Sequence, residues 1–394
     1  MNAAKHEAVR SNWMDRIDIV VGVGMKDSKE MHTQHHTVFT VPRTDLHTVT
    51  SKNSKSTEIN KLYIETLQPI THYDENAKSV VFVQGRIGRS GEKISSYKLD
   101  GYLEPARPRS GEKISSYKLD GYLEPARPAG TFIRHDKQTD TKESLGMNAN
   151  IGIGYRRLSK GEHAYVGVNA FYDHVFKGGY KRVSGGVEYV AGLNEFHANL
   201  YRNLGTDDRK YIGLHGRSVV LGDPAGLYPY GMDPDQSLYN YGIAAYENHW
   251  MLSEKVAASG FDVGYSRTFK NARWARVYAD YYNWRGREAV RVGYYKLNKR
   301  DAIKGFKVGA EFHITPHLTL DAGYKTASHH LSGPYATLKY TIGTSKFAWR
   351  GGKHSESVIT TARSKMLDKV HRSDMVVQET VENIYEQQFV DVGL

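Results

Sequence analysis

The sequence predicts an all-β protein: a closed antiparallel transmembrane β-barrel of about twelve strands, followed by a short C-terminal helix and an extended linker. Three observations lead there. Many short segments alternate apolar and polar residues with a period of two. The composition pairs 28 Tyr and 38 Gly with only 39% hydrophobic residues. The connections between segments alternate between short and long. Period-two alternation gives each strand one apolar and one polar face, which fits a soluble sandwich as well as a barrel. The connections discriminate, because tight turns on one rim and long loops on the other mark a barrel of the outer-membrane type.

The alternation is clearest between Ala164 and Tyr201. Val166, Val168, Ala170 and Tyr172 oppose Gly167, Asn169 and Asp173. Val183, Val187 and Tyr189 oppose Ser184, Gly186 and Glu188, and Phe196, Ala198 and Leu200 oppose Glu195, His197 and Asn199. Upstream, Leu62–Ile70, Ser79–Ile87 and a segment from Met147 read as strands, the last with Asn150 and Arg156 on its polar face. Downstream, Phe261–Phe269, Trp274–Tyr282, Phe306–Ile314, Leu318–Tyr324 and Tyr335–Ile342 follow, with Arg276 and Asp280, Glu311 and Lys339 on polar faces. These are eleven strands, and the N-terminal region supplies a twelfth, for which Asp18–Met25 and His36–Val41 are both candidates; an even number returns both ends of the wall to one rim. The expected lumen-lining set is therefore Asn150, Arg156, Asn169, Asp173, Glu188, Asn199, Arg276, Asp280, Glu311 and Lys339.

Between the strands, residues 89–108 (RSGEKISSYKLDGYLEPARP) recur unchanged at 109–128. Two identical copies rich in Gly, Pro and charge read as a duplication inside a surface loop rather than as a solenoid, which needs three or more units. Residues 203–259 also read as a long loop. The expected division is a segment 1–61 with room for the first strand, a barrel over 62–343 with the duplicated loop at 89–128, and a helix and linker over 344–394. In the last part, Val358, Ile359, Ala362, Met366 and Val370 have helical spacing within Ser355–Val370, and Arg372–Glu379 is extended again.

Other chemistries find little support. With no Cys there is no thiol catalysis, disulfide framework or cysteine metal site. The net charge of +11 is spread along the chain and interleaved with Asp and Glu, which argues against nucleic-acid binding. His32, His35 and His36 invite a zinc reading but lack partners at ligand spacing, so a solvated loop is preferred. The glycines near Gly152 precede no helix pattern and no Gly-Lys-Ser/Thr, so they form no phosphate loop. No apolar run approaches the ~20 residues of a membrane helix, and the N-terminus shows no apolar signal-peptide core. No cofactor or metal is expected. Asp173 and His174 supply the residue types of a rim-site barrel protease, but without a nucleophile motif or paired carboxylates the chain is read as no enzyme.

The stretches LQPITHYDENAKSVVFVQG, NANIGIGYR, VGVNAFYD, YKRVSGGVEY, FHANLYRNL, SGFDVGY, YADYYNWRG, GAEFHITPHLTLDAGY and ARSKMLDKVHRSDMVVQE, in this order, resemble the inverse autotransporters typified by intimin and invasin. The resemblance covers about residues 62–379. It departs from the family pattern at Gly260-Phe261-Asp262, where the family has Trp in the middle, and in the shorter Thr315–Leu318 turn. It implies a twelve-stranded outer-membrane barrel that exports and displays a C-terminal adhesin passenger, with that passenger and a signal peptide not seen in this chain. It also implies a periplasmic helix at 355–370 and a linker in the lumen carrying Arg372, Asp374 and Glu379, able to pair with Glu188, Arg276 or Glu311. The implied partners are outer-membrane lipid and lipopolysaccharide, the barrel-assembly machinery and periplasmic chaperones, with a host receptor reached only through the passenger. A passenger-less pore is the alternative.

Overall fold

The computed structural model describes residues 13–38, 44–73, 76–104, 131–205, 208–220, 243–292, 295–297, 299–328, 332–343, 347–353 and 361–391. A 3₁₀ turn at Trp13–Arg16 leads into the first strand. Twelve strands then close an antiparallel barrel: β1 (Ile17–Val38) and β2 (Thr44–Pro69) by their membrane-proximal halves, then β3 (Ser79–Arg89), β6 (Met147–Leu158), β7 (Ala164–Val175), β8 (Lys181–Ala191), β9 (Asn194–Asn203), β12 (Gly260–Thr268), β13 (Ala275–Trp284), β16 (Ile303–His313), β17 (Leu318–Lys325) and β18 (Gly333–Thr341). Closure comes from β1 against β18, in register from Asp18↔Thr341 to Gly24↔Tyr335. The wall thus begins at Ile17, upstream of the boundary expected at residue 62. Of the two candidate N-terminal segments, Asp18–Met25 lies in the part of β1 that closes on β18, while residues 36–38 lie at the distal end of the same strand and 39–41 outside the described residues.

The alternation resolves as the sequence suggests. Ile151, Ile153, Val166, Val168, Val187, Leu200 and Phe306 project outward and are more than half or nearly half exposed. Arg156, Asn169, Asp173, Glu188 and Asn199 on the same strands point inward and are buried. An apolar outer belt around a polar interior suits lipid outside and a hydrated lumen inside. No helix among the described residues is long and apolar enough to cross a membrane, which says nothing about strands.

The long connections are more structured than their composition suggests. The duplicated segment, expected as a loop, begins as strand β4 (Glu92–Glu104), paired with β5 (Thr131–Ser144). The second copy, at 109–128, lies outside the described residues. The expected loop 203–259 contains a hairpin, β10 (Asp208–Val220) with β11 (Ile243–Ala257). Residues 285–302 carry the two short strands β14 (Val290–Val292) and β15 (Tyr295–Leu297). The histidines at 32, 35 and 36, expected in a loop, have strand backbone in the distal half of β1, and their side chains lie outside the described residues. Gly, Pro and charge argued for loops, but long-range pairing partners override such local preferences.

These extensions continue the same hydrogen-bonded sheet beyond the long-loop rim, as an outer sheet region. Distal β2 pairs with distal β1, β1 with β5 from Asp27↔Lys142 to Val38↔Thr131, and β5 with β4. The strand beside β4 is the C-terminal one, β19 (Val376–Asp391), parallel to β4 and antiparallel to β11. The helix expected over 355–370 is a single turn, α1 (Thr361–Ser364); residues 354–360, including Val358 and Ile359, lie outside the described residues. After it the backbone tightens into i→i−3 turns, with Lys365, Met366 and Asp368 donating to Ala362, Arg363 and Lys365.

Candidate functional site: the occupied lumen

The wall returns to the short-turn rim at Thr341, while β19 stands above the opposite rim. Residues 361–375 must therefore cross the barrel, and they do so inside it. Their anchor is apolar. Ala362, Met366 and Val370, which the spacing placed on one helical face, are buried against Leu67, Tyr73, Val80, Phe82, Leu158, Tyr165, Phe171 and Val190. Inward aromatic rings at the short-turn end make a hydrophobic floor in an otherwise polar lumen. Glycine makes room for it: a Cβ on Gly152 would run into the Phe171 ring, and one on Gly154 into the Phe82 ring.

Above the floor a ladder of polar contacts follows the tail upward. At the short-turn rim, Arg363 donates to Glu162 at 2.8 Å and to the Ala77 carbonyl at 2.8 Å. Lys365 pairs with Glu195. Arg156, fully buried, pairs with Glu188 at 2.8 Å and donates to the Met366 and Asp368 carbonyls at 2.9 and 2.6 Å. Lys369 reaches Asp18 at 2.6 Å, and Gln84 accepts the Val370 amide at 2.9 Å. Asn199 donates to the His371 carbonyl at 3.0 Å. Arg372 grips Asp173 through both oxygens, at 2.7 and 2.6 Å, and Arg182 holds the same carboxylate at 2.9 Å. The Ser373 amide donates to the Tyr201 hydroxyl at 2.8 Å, and Asp374 pairs with Lys61 at 2.8 Å and Arg86 at 2.5 Å. At the exit the Glu92 amide donates to the Met375 carbonyl at 3.0 Å, beside Gly91 at φ 90°.

The site residues expected from the sequence sort as follows. Arg156, Asp173 and Asn199 touch the tail directly. Asn169 and Glu188 support Arg156, with Asn169 donating to Glu188 at 3.3 Å. Arg276 meets His371 at 2.6 Å and pairs with Glu311 at 2.8 Å, and Lys339 lies 3.6 Å from Glu311. Asp280 lines the space beside the tail, 3.8 Å from His197. Asn150 borders Arg372 and Asp374, and its Oδ1 has no hydrogen-bond partner among the described residues. The pairings expected for the linker change: Arg372 takes Asp173, Asp374 takes Lys61 and Arg86, and Glu379 takes Lys93 and Lys255, none of them Glu188, Arg276 or Glu311. Alternation also puts Gln84 and Arg86 on the polar face of Ser79–Ile87, and both meet the tail. Asp18, Lys61, Arg182 and Tyr201, at inward positions of wall strands, are further contacts that the expected set does not contain. Asp173 and His174 point to opposite faces of β7, and His174 stacks among Tyr172 and Phe176 on the outside, so they form no acid–base pair.

The tail leaves part of the lumen open. A cavity of about 1410 Å³ runs beside it, bordered by Lys78 and Glu162 at the short-turn rim and by Glu92 and Ser332 at the other. Basic and acidic side chains alternate along it, among them Lys61, Glu65, Asp280, Lys307, Asp321 and Lys339.

A twelve-stranded barrel whose own C-terminal segment occupies its lumen belongs to the class of membrane barrels built around an internal polypeptide. Residues 135–374, well over half of the chain, match the family described as inverse autotransporter, beta-domain, and the protein belongs to that family of outer-membrane transporter and anchor barrels. No curated protein matches the chain. Solved structures are similar only remotely. A chain from a study of the in-meso crystallization of membrane proteins is 12% identical, with a TM-score of 0.44, over 92% of this chain and 100% of that one. The Ralstonia pickettii toluene transporter TbuX is 11% identical, with a TM-score of 0.25, over 80% of this chain and 88% of that one. Salmonella typhi OmpF in complex with daunomycin is 9% identical, with a TM-score of 0.25, over 80% and 97%. At these scores the likenesses carry no argument about function.

Proposed function

We propose that this barrel is the translocator and membrane anchor of a surface-displayed adhesin passenger joined to its C-terminus. The observation that carries the reading is the path of residues 361–391, from the short-turn rim through the lumen to the outer sheet. A plain channel has no use for a tail bonded to the wall at every level, whereas a displayed passenger needs a fixed stalk. The outer belt faces lipid and lipopolysaccharide, and assembly would use the barrel-assembly machinery and periplasmic chaperones of the bacterial outer membrane. A host receptor would be met only by the passenger. The test is surface exposure: with an export signal supplied, an epitope joined after Leu394 becomes accessible to antibody on intact cells. An epitope reached only after the outer membrane is opened would refute display.

The charged cavity beside the tail favours a second, lesser reading, a pore for small solutes. Solute flux that persists in the full chain would support it.

A further inference from the structure

The tail does not simply emerge from the lumen; it enters a sheet that closes on it from both sides. From Val376 to Glu382 every residue of β19 is buried. Val376 packs with Ile94, Tyr201, Ala258, Tyr282, Trp284 and Ile303, while Met375 and Val377 pack with Leu145, Val175 and Ala257. The exit is therefore an apolar collar, and the ladder continues beyond it: Val376–Asn383 pairs with Glu92–Leu99 of β4, and Val377–Asp391 with Ile243–Ala257 of β11.

The flanking strands are tied to the wall at the end where the tail enters. β4 follows β3 after Ser90 and Gly91, and β11 precedes β12 by Ala258 and Ser259. The tail runs away from the membrane between them. Tension on its far end therefore lies along the strand axes and loads the flanking hydrogen bonds together, in shear, rather than peeling them one at a time.

One buried carboxylate fixes the register. Glu379 stands opposite Ser95 on one side and Lys255 on the other. It accepts from Ser95 at 2.6 Å and pairs with Lys255 at 2.8 Å and Lys93 at 3.0 Å. A slip of one residue would turn it to the other face. An outward slip of two, the direction in which tension acts, would set it against Tyr97 and Ser253, roughly 7 Å further from both cations.

We propose that the β4–β19–β11 sheet is a load-bearing clamp, a strand-accepting surface whose ligand is this chain's own emerged segment. Strand addition of this kind binds through main-chain hydrogen bonds and draws specificity from alternate side chains, and Glu379 is the positioning residue. Tension on the displayed chain is then held outside the membrane, and the lumenal contacts at 361–375 stay unloaded. The inference rests on the display reading above.

The test is single-molecule pulling on the full chain in lipid nanodiscs, through a handle joined after Leu394. The expected first event is a force peak as the β19 ladder shears, with little gain in length because its 16 residues already span about 50 Å as a strand. Release of residues 361–375, which are coiled into turns and lengthen the chain, comes only afterwards. Glu379→Lys, which sets three cations against one another, lowers the force of that event, and Thr380→Pro, which interrupts the ladder, lowers it too. An unchanged heat-shifted gel mobility in both variants shows that the barrel is intact. A first event that frees residues 361–391 in one step, or a force unaltered in both variants, overturns the clamp. A handle that cannot be reached from the outer face contradicts the display reading instead.

Discussion

Asp173 joins the wall to the tail, and its removal separates the two. The carboxylate is 4% exposed and is held by Arg182 of the wall and by Arg372 of the tail through three charge-assisted hydrogen bonds of 2.6–2.9 Å. Asp173→Ala leaves two buried guanidiniums facing each other without their counter-ion, and breaking a buried pair in this way costs about 3–5 kcal/mol. Arg372→Ala leaves the Asp173–Arg182 pair intact and affects only the tail, so it should cost less, about 1.5–3 kcal/mol for hydrogen bonds to a charged group. Because the two residues touch, the effects are not additive, and a double-mutant cycle should give a coupling of about 1–3 kcal/mol. The assay is urea unfolding of the detergent-folded barrel, read by gel mobility and tryptophan fluorescence. A coupling below about 0.5 kcal/mol between Asp173 and Arg372, with Asp173 and Arg182 still coupled, would mean that the tail does not lie against β7.

Three further outcomes follow from the same geometry. Ala170→Arg places a cation on the lipid face and should cost about 2–4 kcal/mol near the midplane; an unchanged stability in folding titrations would reverse the face assignment. Met366→Ala empties a fully buried site on the apolar floor and should destabilise by about 2–5 kcal/mol in the same titration, with no loss expected if the tail were loose. Burial alone would raise the Glu379 carboxyl, but the Lys255, Ser95 and Lys93 hydrogen bonds outweigh it and bring it down to about 2. A depressed folded-state value stabilises above the ordinary carboxylate range and is lost as pH falls through the folded value. Hydrogen-exchange protection of β19 should therefore fall between about pH 4.5 and pH 2, and Glu379→Gln should remove that dependence.

The barrel wall was legible in the sequence because its rule is local. One face of each strand meets lipid, so a period of two appears without knowledge of the partner, as in Met147–Arg156 and Phe306–Ile314. The outer sheet was not legible. Glu92–Glu104 owes part of its strand form to β19, nearly 300 residues later, and Asp208–Val220 pairs with β11 across a connection whose composition reads as loop. The ladder was partly legible. Arg372 and Asp374 read as lumenal charges, but their partners depend on strand height, which alternation does not give. The apolar floor had a signal that went unused: Phe82, Tyr165 and Phe171 occupy inward positions among polar residues, and Met366 and Val370 carry the complementary stripe.

Conductance across a planar bilayer tests the threaded lumen most directly. With the tail bonded to the wall from Arg363 to Met375, only the cavity beside it is open, so the full chain should conduct weakly. Removing residues 351–394 should empty the barrel and raise single-channel conductance severalfold. Equal conductance for the two proteins, each confirmed as folded by its heat-shifted mobility, would contradict a tail that runs through the pore.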